Sequence, residues 1–261
     1  MHNFDFVKPS SIAEAVKALS AEGAQVLSGG QTLIPTMKQR LAAPAVLVSL
    51  TGIKEMQGVC TGDGGLHIGA ATPHAVVARE AARHYPALAK LAGGIGDPQV
   101  RNRGTIGGSL ANNDPSACYP AGALASGATI VTNNRKIKAD DYFQGLFTTA
   151  LAEGEIITEV VFPIPDQAAY VKFDQPASRF ALAAVFVARF KDGVRVAVTG
   201  ASNDGVFRWT AAEKALSASF SASAIAGLTV DGSNMISDLH GTGAYRAHLV
   251  KVLTGRAVAA A

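Results

Sequence analysis

The sequence predicts an α+β protein built from two small α/β subdomains followed by a smaller α+β unit. Three observations carry this. The first 55 or so residues show a complete β-α-β pattern, two glycine-rich loops each follow an apolar run, and the pattern changes to long hairpin-forming strands beyond Pro165. The hairpin is signalled by Lys191-Asp192-Gly193 between the apolar runs Ala183–Phe190 and Val194–Thr199. A boundary is therefore expected between Pro165 and Gln175, giving residues 1–168 (subdomains 1–55 and 56–168) and 169–261.

Each element has a local reason. Ser11-Ile12-Ala13-Glu14 reads as a capping box, and Ile12, Ala15, Val16 and Leu19 then recur at helical spacing up to Gly23. Val26-Leu27 is a short strand entering the first glycine loop, Leu33–Leu41 is partly helical, and Val46–Leu50 is a buried strand. Leu66–Ala70 is a strand followed by helical stretches at Pro73–Arg83 and Ala87–Leu91. After the second glycine loop, Arg101–Ser109, come a helix at Pro120–Ser126 and strands at Thr129–Val131 and Ile156–Phe162. Helices near Ala211–Leu216 and Tyr245–Leu253 complete the chain, and the Ala/Ser-rich Ser217–Ala226 is expected at the surface.

The loops carry the chemistry. Ser28-Gly29-Gly30-Gln31-Thr32-Leu33-Ile34-Pro35 and Arg101-Asn102-Arg103-Gly104-Thr105-Ile106-Gly107-Gly108-Ser109 both combine glycines with hydroxyls. Glycine tolerates positive φ, so successive amides can converge on one anion. Neither loop has the Gly-x-Gly-x-x-Gly spacing of a Rossmann unit, and a single glycine pair most often serves a turn. Two such loops about seventy residues apart point to a ligand with two phosphates, the shape of a dinucleotide. Of Arg101 and Arg103, one offsets phosphate charge or docks a partner, or both brace the loop through carbonyls or carboxylates; Asn112-Asn113-Asp114-Pro115 is a turn in which Asp114 caps the next helix or touches the ligand.

Bulk properties narrow the function. Hydrophobic residues make up 48% and charged ones 16% of 261, enough for a sizeable core. The net charge of +3 is scattered, with no basic run, so nucleic acid is not an expected partner. No apolar stretch reaches the ~20 residues of a membrane span, and the N-terminus lacks a signal-peptide pattern, so a cytoplasmic location is expected. Cys60 and Cys118 cannot hold an iron–sulfur cluster unaided, the six histidines have no ligand spacing, and no metal site is expected. His67 alternates with Leu66 and Ile68 as a strand residue.

The chain resembles the flavin-binding medium subunit of molybdenum hydroxylases, of the carbon monoxide dehydrogenase medium-subunit type and related to the xanthine dehydrogenase flavin domain. The resemblance rests on Phe4–Pro9 with the following helix, on Ser28–Pro35 with Met37, Arg40 and Leu41, and on Ile95-Gly96 through Gln99–Gly108. Phe143, Thr149, Gly154-Glu155-Ile156-Ile157, Lys172 and Ser178-Arg179 extend it into the C-terminal part. It implies a two-subdomain FAD-binding fold of the PCMH type and a carbon monoxide dehydrogenase flavoprotein-like C-terminal domain. It also implies FAD contacts from Val26, Leu27, Ser28, Gly29, Gly30, Gln31, Thr32 and Leu33 on one side, and from Thr105, Ile106, Gly107, Gly108 and Ser109 on the other. Ile95 matches a position near the flavin, and Ile157 and Lys172 positions near the flavin or its ribityl arm. Gly30 and Gly107 are both expected at positive φ or where backbone nears the pyrophosphate.

The resemblance further implies a large subunit with molybdopterin and a small subunit with 2Fe–2S clusters, from which electrons pass to this FAD and on to NAD or a quinone. No general acid or base is expected in this chain. Two departures stand out: Cys118 replaces a carboxylate of the cofactor set, and Asp97 replaces a frequent histidine. A thiol is a poor acceptor. The alternatives are a stand-alone flavin oxidoreductase of this fold, which the single late tyrosine Tyr245 supports poorly, and a non-catalytic assembly subunit that has lost FAD.

Overall fold

The computed structural model describes residues 1–261. Its N-terminal part runs β1 (Asp5–Val7), α1 (Ile12–Leu19), β2 (Ala24–Leu27), α2 (Leu33–Lys38) and β3 (Val46–Ser49), with the strands parallel in the order β1-β3-β2. Ser11 caps α1 by accepting from the Glu14 amide at 3.2 Å, as the motif predicts. The Glu14 carboxylate, however, turns back one residue further, to the amide and hydroxyl of Ser10. Gly23, at φ +68°, ends the connection into β2.

The second part contains β4 (Val59–Gly62), β5 (Gly65–Gly69), α3 (His74–Glu80), α4 (Pro86–Gly93), α5 (Pro98–Arg103), α6 (Ile106–Asn112), α7 (Tyr119–Ser126), β6 (Thr129–Thr132) and β7 (Lys136–Lys138). The short α8 (Ala139–Tyr142), the small hairpin β8 (Phe143–Gly145) and β9 (Thr148–Thr149), and β10 (Ile157–Phe162) follow. The expected α/β character is not found here: the sheet is antiparallel, ordered β4-β5-β10-β6-β7. The late strand β10 slots between β5 and β6 and runs against both. All five helices from α3 to α7 lie in the single connection between β5 and β6.

Nor is Arg101–Ser109 one long loop. Asp97 caps α5 through the Val100 amide with Pro98 at the first turn, and Thr105 caps α6 through the Gly108 amide. Only Gly104 and Thr105 link the two helices.

The third part is the antiparallel sheet β11 (Gln167–Asp174), β12 (Ala181–Phe190), β13 (Gly193–Thr199) and β14 (Phe207–Arg208), with helices α9 (Thr210–Ala218) and α10 (Gly243–Ala260). Strand β12 is buried on both faces. Ala184, Phe186 and Ala188 join the large core shared with Leu88, Leu91 and Tyr119, while Ala183, Val185 and Val187 join a second core with Trp209, Val250 and Leu253. Continuous rather than alternating hydrophobicity is what such a sheet requires. All eight residues of α7 are buried, because it is packed among helices on one side and this sheet on the other. The Ser217–Ala226 stretch is mostly at the surface, but its short 3-10 turn inserts Ile225, 2% exposed, into the second core.

Polar ties join the third part to the second. Arg195 donates to the Leu124 carbonyl and to both oxygens of Asp140, and Thr199 Oγ1 donates to the Pro115 and Ala117 carbonyls. No helix is long and apolar enough to cross a membrane.

Candidate functional site

The first glycine loop leaves β2 and re-enters helix at Leu33. Gly30 sits at φ +71°, and the amides of Gly29, Gly30, Gln31, Thr32 and Leu33 have no protein acceptor. Gly29 is buried, Gln31 and Thr32 are exposed, and Leu33 opens the first turn of α2, so these five successive donors form a nest open to an anion or to water. Gln31 reinforces the turn by donating its side-chain amide to the Gly29 carbonyl at 3.1 Å. Val26 and Leu27 are the half-buried strand residues that deliver the loop.

The two glycine loops meet. A Cβ on Gly29 would overlap the Arg103 carbonyl and lie 2.6 Å from Gly104 Cα, so only glycine permits the approach. Ser28 Oγ and Thr105 Oγ1 are hydrogen-bonded at 2.8 Å across the junction. Gly108 is exposed beside Ser28, with Ser109 next to it, so both lie at the open edge of the junction.

The second loop contributes differently from the first. The Ile106 amide faces the Thr72 carbonyl, Gly107 donates to the Ala70 carbonyl at 2.9 Å, and Gly108 and Ser109 donate to Thr105. Ile106 is fully buried. Gly107 does not have a positive φ, and a Cβ there would sit 2.6 Å from Ala70 Cβ. Its smallness serves the seam between α6 and the end of β5. On this side Gly108 and Ser109 form the open rim, while Thr105 is 3% exposed and its hydroxyl is engaged by Ser28 and the Gly108 amide.

The remaining expected positions fall into two groups. Ile95 is half-buried at the turn after α4, where Gly96 has φ +50°. Lys172 reaches the same turn, its Nζ 2.7 Å from the Gly94 carbonyl, 3.0 Å from the Arg179 carbonyl and 2.7 Å from Asp174 Oδ1. Those three acceptors use all three ammonium protons. Cys118 starts α7, 6% exposed, and burial pushes its thiol up, opposed by Lys172 and Tyr170. Ile157 is 4% exposed within β10, inside the large core.

Arg101 braces the turn: its guanidinium donates to the Ile95 and Gly96 carbonyls. Asp114 caps no helix; its carboxylate accepts from the Ser116 amide, two residues on. His74 had no signal in the sequence. It is 5% exposed, donates its amide to the Gly104 carbonyl, and packs its ring 5.3 Å from that of Tyr119. Burial, with Arg101 nearby, pushes its pKa down to about 4. Cavities of about 390 Å³ around Arg195, Arg208 and Lys214, and of about 260 Å³ around Asp114, Asp238 and Arg246, are lined by neither glycine loop.

Residues 2–165 match the model of the FAD binding domain in molybdopterin dehydrogenase. The chain is 33% identical to the glyceraldehyde dehydrogenase medium chain of Sulfolobus acidocaldarius over 97% of its own length and 96% of that protein's. It is 34% identical to the nicotine 6-hydroxylase medium subunit of Paenarthrobacter nicotinovorans, covering 97% and 95%. Among solved structures, a chain of carbon monoxide dehydrogenase from Hydrogenophaga pseudoflava superposes with a TM-score of 0.85 at 31% identity, covering 100% of this chain and 97% of that one. A chain of quinoline 2-oxidoreductase from Pseudomonas putida 86 gives 0.88 at 27%, with coverage of 100% and 97%. With this match and these relatives, the chain belongs to the FAD-binding medium subunits of the molybdenum hydroxylases.

Proposed function

We propose that this chain is the electron-transfer flavoprotein subunit of a molybdenum hydroxylase complex. It takes electrons from 2Fe–2S clusters on a small subunit, after substrate oxidation at molybdopterin on a large subunit, and delivers them to an external acceptor such as NAD or a quinone. Relatives named as medium chains of glyceraldehyde dehydrogenase and of carbon monoxide dehydrogenase support the assignment to such a complex. Bound FAD supplies the redox chemistry; the protein supplies position and electrostatics.

The observation that carries the FAD reading is the run of free amides from Gly29 to Leu33 around a positive-φ glycine. These donors hold the pyrophosphate, with the Ser28, Thr105 and Ser109 hydroxyls arranged at the junction beside it. Charge-assisted bonds from backbone amides need no side-chain cation, which suits a site where Arg101 is already committed to carbonyls.

The full chain is expected to purify with a flavin spectrum, or to take up FAD on titration at one per chain. Gly30→Val places a β-branched residue at positive φ against Ile34, at a strain of about 1–3 kcal/mol, and folded protein should lose most of its FAD. Gly107→Val overpacks Ala70 instead, at about 1–3 kcal/mol, and should lower Tm while folded molecules keep near wild-type flavin. A wild-type chain that neither carries nor binds FAD, with folding confirmed by circular dichroism, overturns the proposal.

A further inference from the structure

Three consecutive carbonyls, those of Gly94, Ile95 and Gly96, follow the C-terminus of α4, and all three are held by cations. Lys172 Nζ takes the first at 2.7 Å, and Arg101 Nη1 takes the second and third at 3.0 and 2.9 Å. The Gly94 carbonyl, at the C-cap of α4, lacks an intrahelical donor and carries partial negative charge that a cation offsets, while those of Ile95 and Gly96 lie in the turn just beyond. The two cations come from different parts of the molecule. Arg101 belongs to α5, immediately after the turn, whereas Lys172 lies on β11 of the C-terminal sheet, its side chain 7% exposed.

What the turn is attached to gives the arrangement its meaning. Helix α5 starts there, capped by Asp97, and at six residues it is about 9 Å long. Its far end is Arg103, whose carbonyl, with Gly104, forms the close contact with Gly29 of the amide nest. A shift of the turn is therefore passed by a short rigid rod to the loop that shapes the nest.

We propose that Lys172 and Arg101 are positioning residues, a double clamp that fixes the Gly94–Gly96 turn and, through α5, the Gly29–Gly104 junction of the FAD site. The C-terminal sheet thereby governs how tightly FAD is held. Lys172 acts through the turn and has no ammonium proton left for the cofactor. The inference rests on the FAD reading above.

The test uses the full chain with Lys172→Met, Arg101→Met and the double substitution, each of which keeps bulk and removes donors. FAD dissociation constants are measured on protein shown to be folded, with the flavin absorption spectrum recorded in parallel. Each single substitution is expected to weaken FAD by about tenfold, the worth of a charge-assisted hydrogen bond. The double variant should be no weaker than about the weaker single, because both act on one turn. Lys172→Gln, with an amide donor for Gly94, should fall between wild type and Lys172→Met, and serves if the methionine variant does not fold. Wild-type FAD affinity in folded Lys172 and Arg101 variants overturns the clamp. So does a large loss confined to Lys172, or losses that multiply in the double variant, since both mark Lys172 as a direct ligand. A wild-type chain that binds no FAD instead overturns the reading beneath it.

Discussion

His74 shows how a single buried ring sets a pH limit. Its Nδ1 has no partner, and its pKa is pushed down to about 4 by burial, with Arg101 adding to the effect. The folded state therefore binds fewer protons than the unfolded chain between pH 6.5 and 4, so stability falls as pH drops through that window and is unaffected above it. The linked loss is about 3 kcal/mol by pH 4. His74→Phe keeps the ring against Tyr119 and should flatten that part of the profile, as read by denaturant unfolding at a series of pH values; an unchanged slope assigns the acid sensitivity elsewhere. No local pattern marks this residue, since its burial depends on Tyr119 and on Gly104, whose absent Cβ would stand 2.6 Å from His74 Nε2. Gly30, by contrast, was legible: a glycine between a strand and a helix start needs the left-handed region. Gly107 looked the same in sequence, and its partner Ala70 is a tertiary neighbour that no local pattern names.

Among the elements, the link between α5 and α6 concentrates the most consequence in one side chain. Thr105 Oγ1 caps α6 through Gly108 and also bonds Ser28 across the junction. Thr105→Val is nearly isosteric and removes both. It should cost about 1 kcal/mol of stability for the cap and lower FAD affinity as well. Thermal melts and flavin titration separate the two, and a variant melting earlier with unchanged FAD affinity would leave Thr105 as a cap alone. The start of α1 and the β12–β13 hairpin were readable because Ser11, Glu14 and Asp192-Gly193 act within a few residues. The pair of helices that overlap Arg101–Ser109 was hidden because Gly104, Gly107 and Gly108 dominate its composition. The caps that define the helices, Asp97 and Thr105, are common turn residues too.

At the scale of the whole molecule, the change of character after Pro165 was visible in the sequence, and the first strand of the third sheet runs from Gln167. The antiparallel middle sheet was not visible, because β10 pairs with β5 across about ninety residues and with β6 across about thirty. Pairing over such distances leaves no local signature. The double-sided burial of β12 has a consequence for modularity. The match to the FAD-binding family ends at residue 165, yet the large core continues through Tyr170, Ala184, Phe186 and Ala197 of the following sheet. A fragment cut at 165 would present the buried faces of α4 and α7 to water. It should aggregate or bind a hydrophobic dye, as size exclusion and dye fluorescence would show; a monodisperse fragment with native thermal stability would contradict this. The evolutionary unit recognised by sequence is therefore not a unit that can be transplanted. A chimera exchanging C-terminal halves between relatives has to carry Phe186 and its opposing contacts on α4 and α7 together, or inherit a mismatched interior.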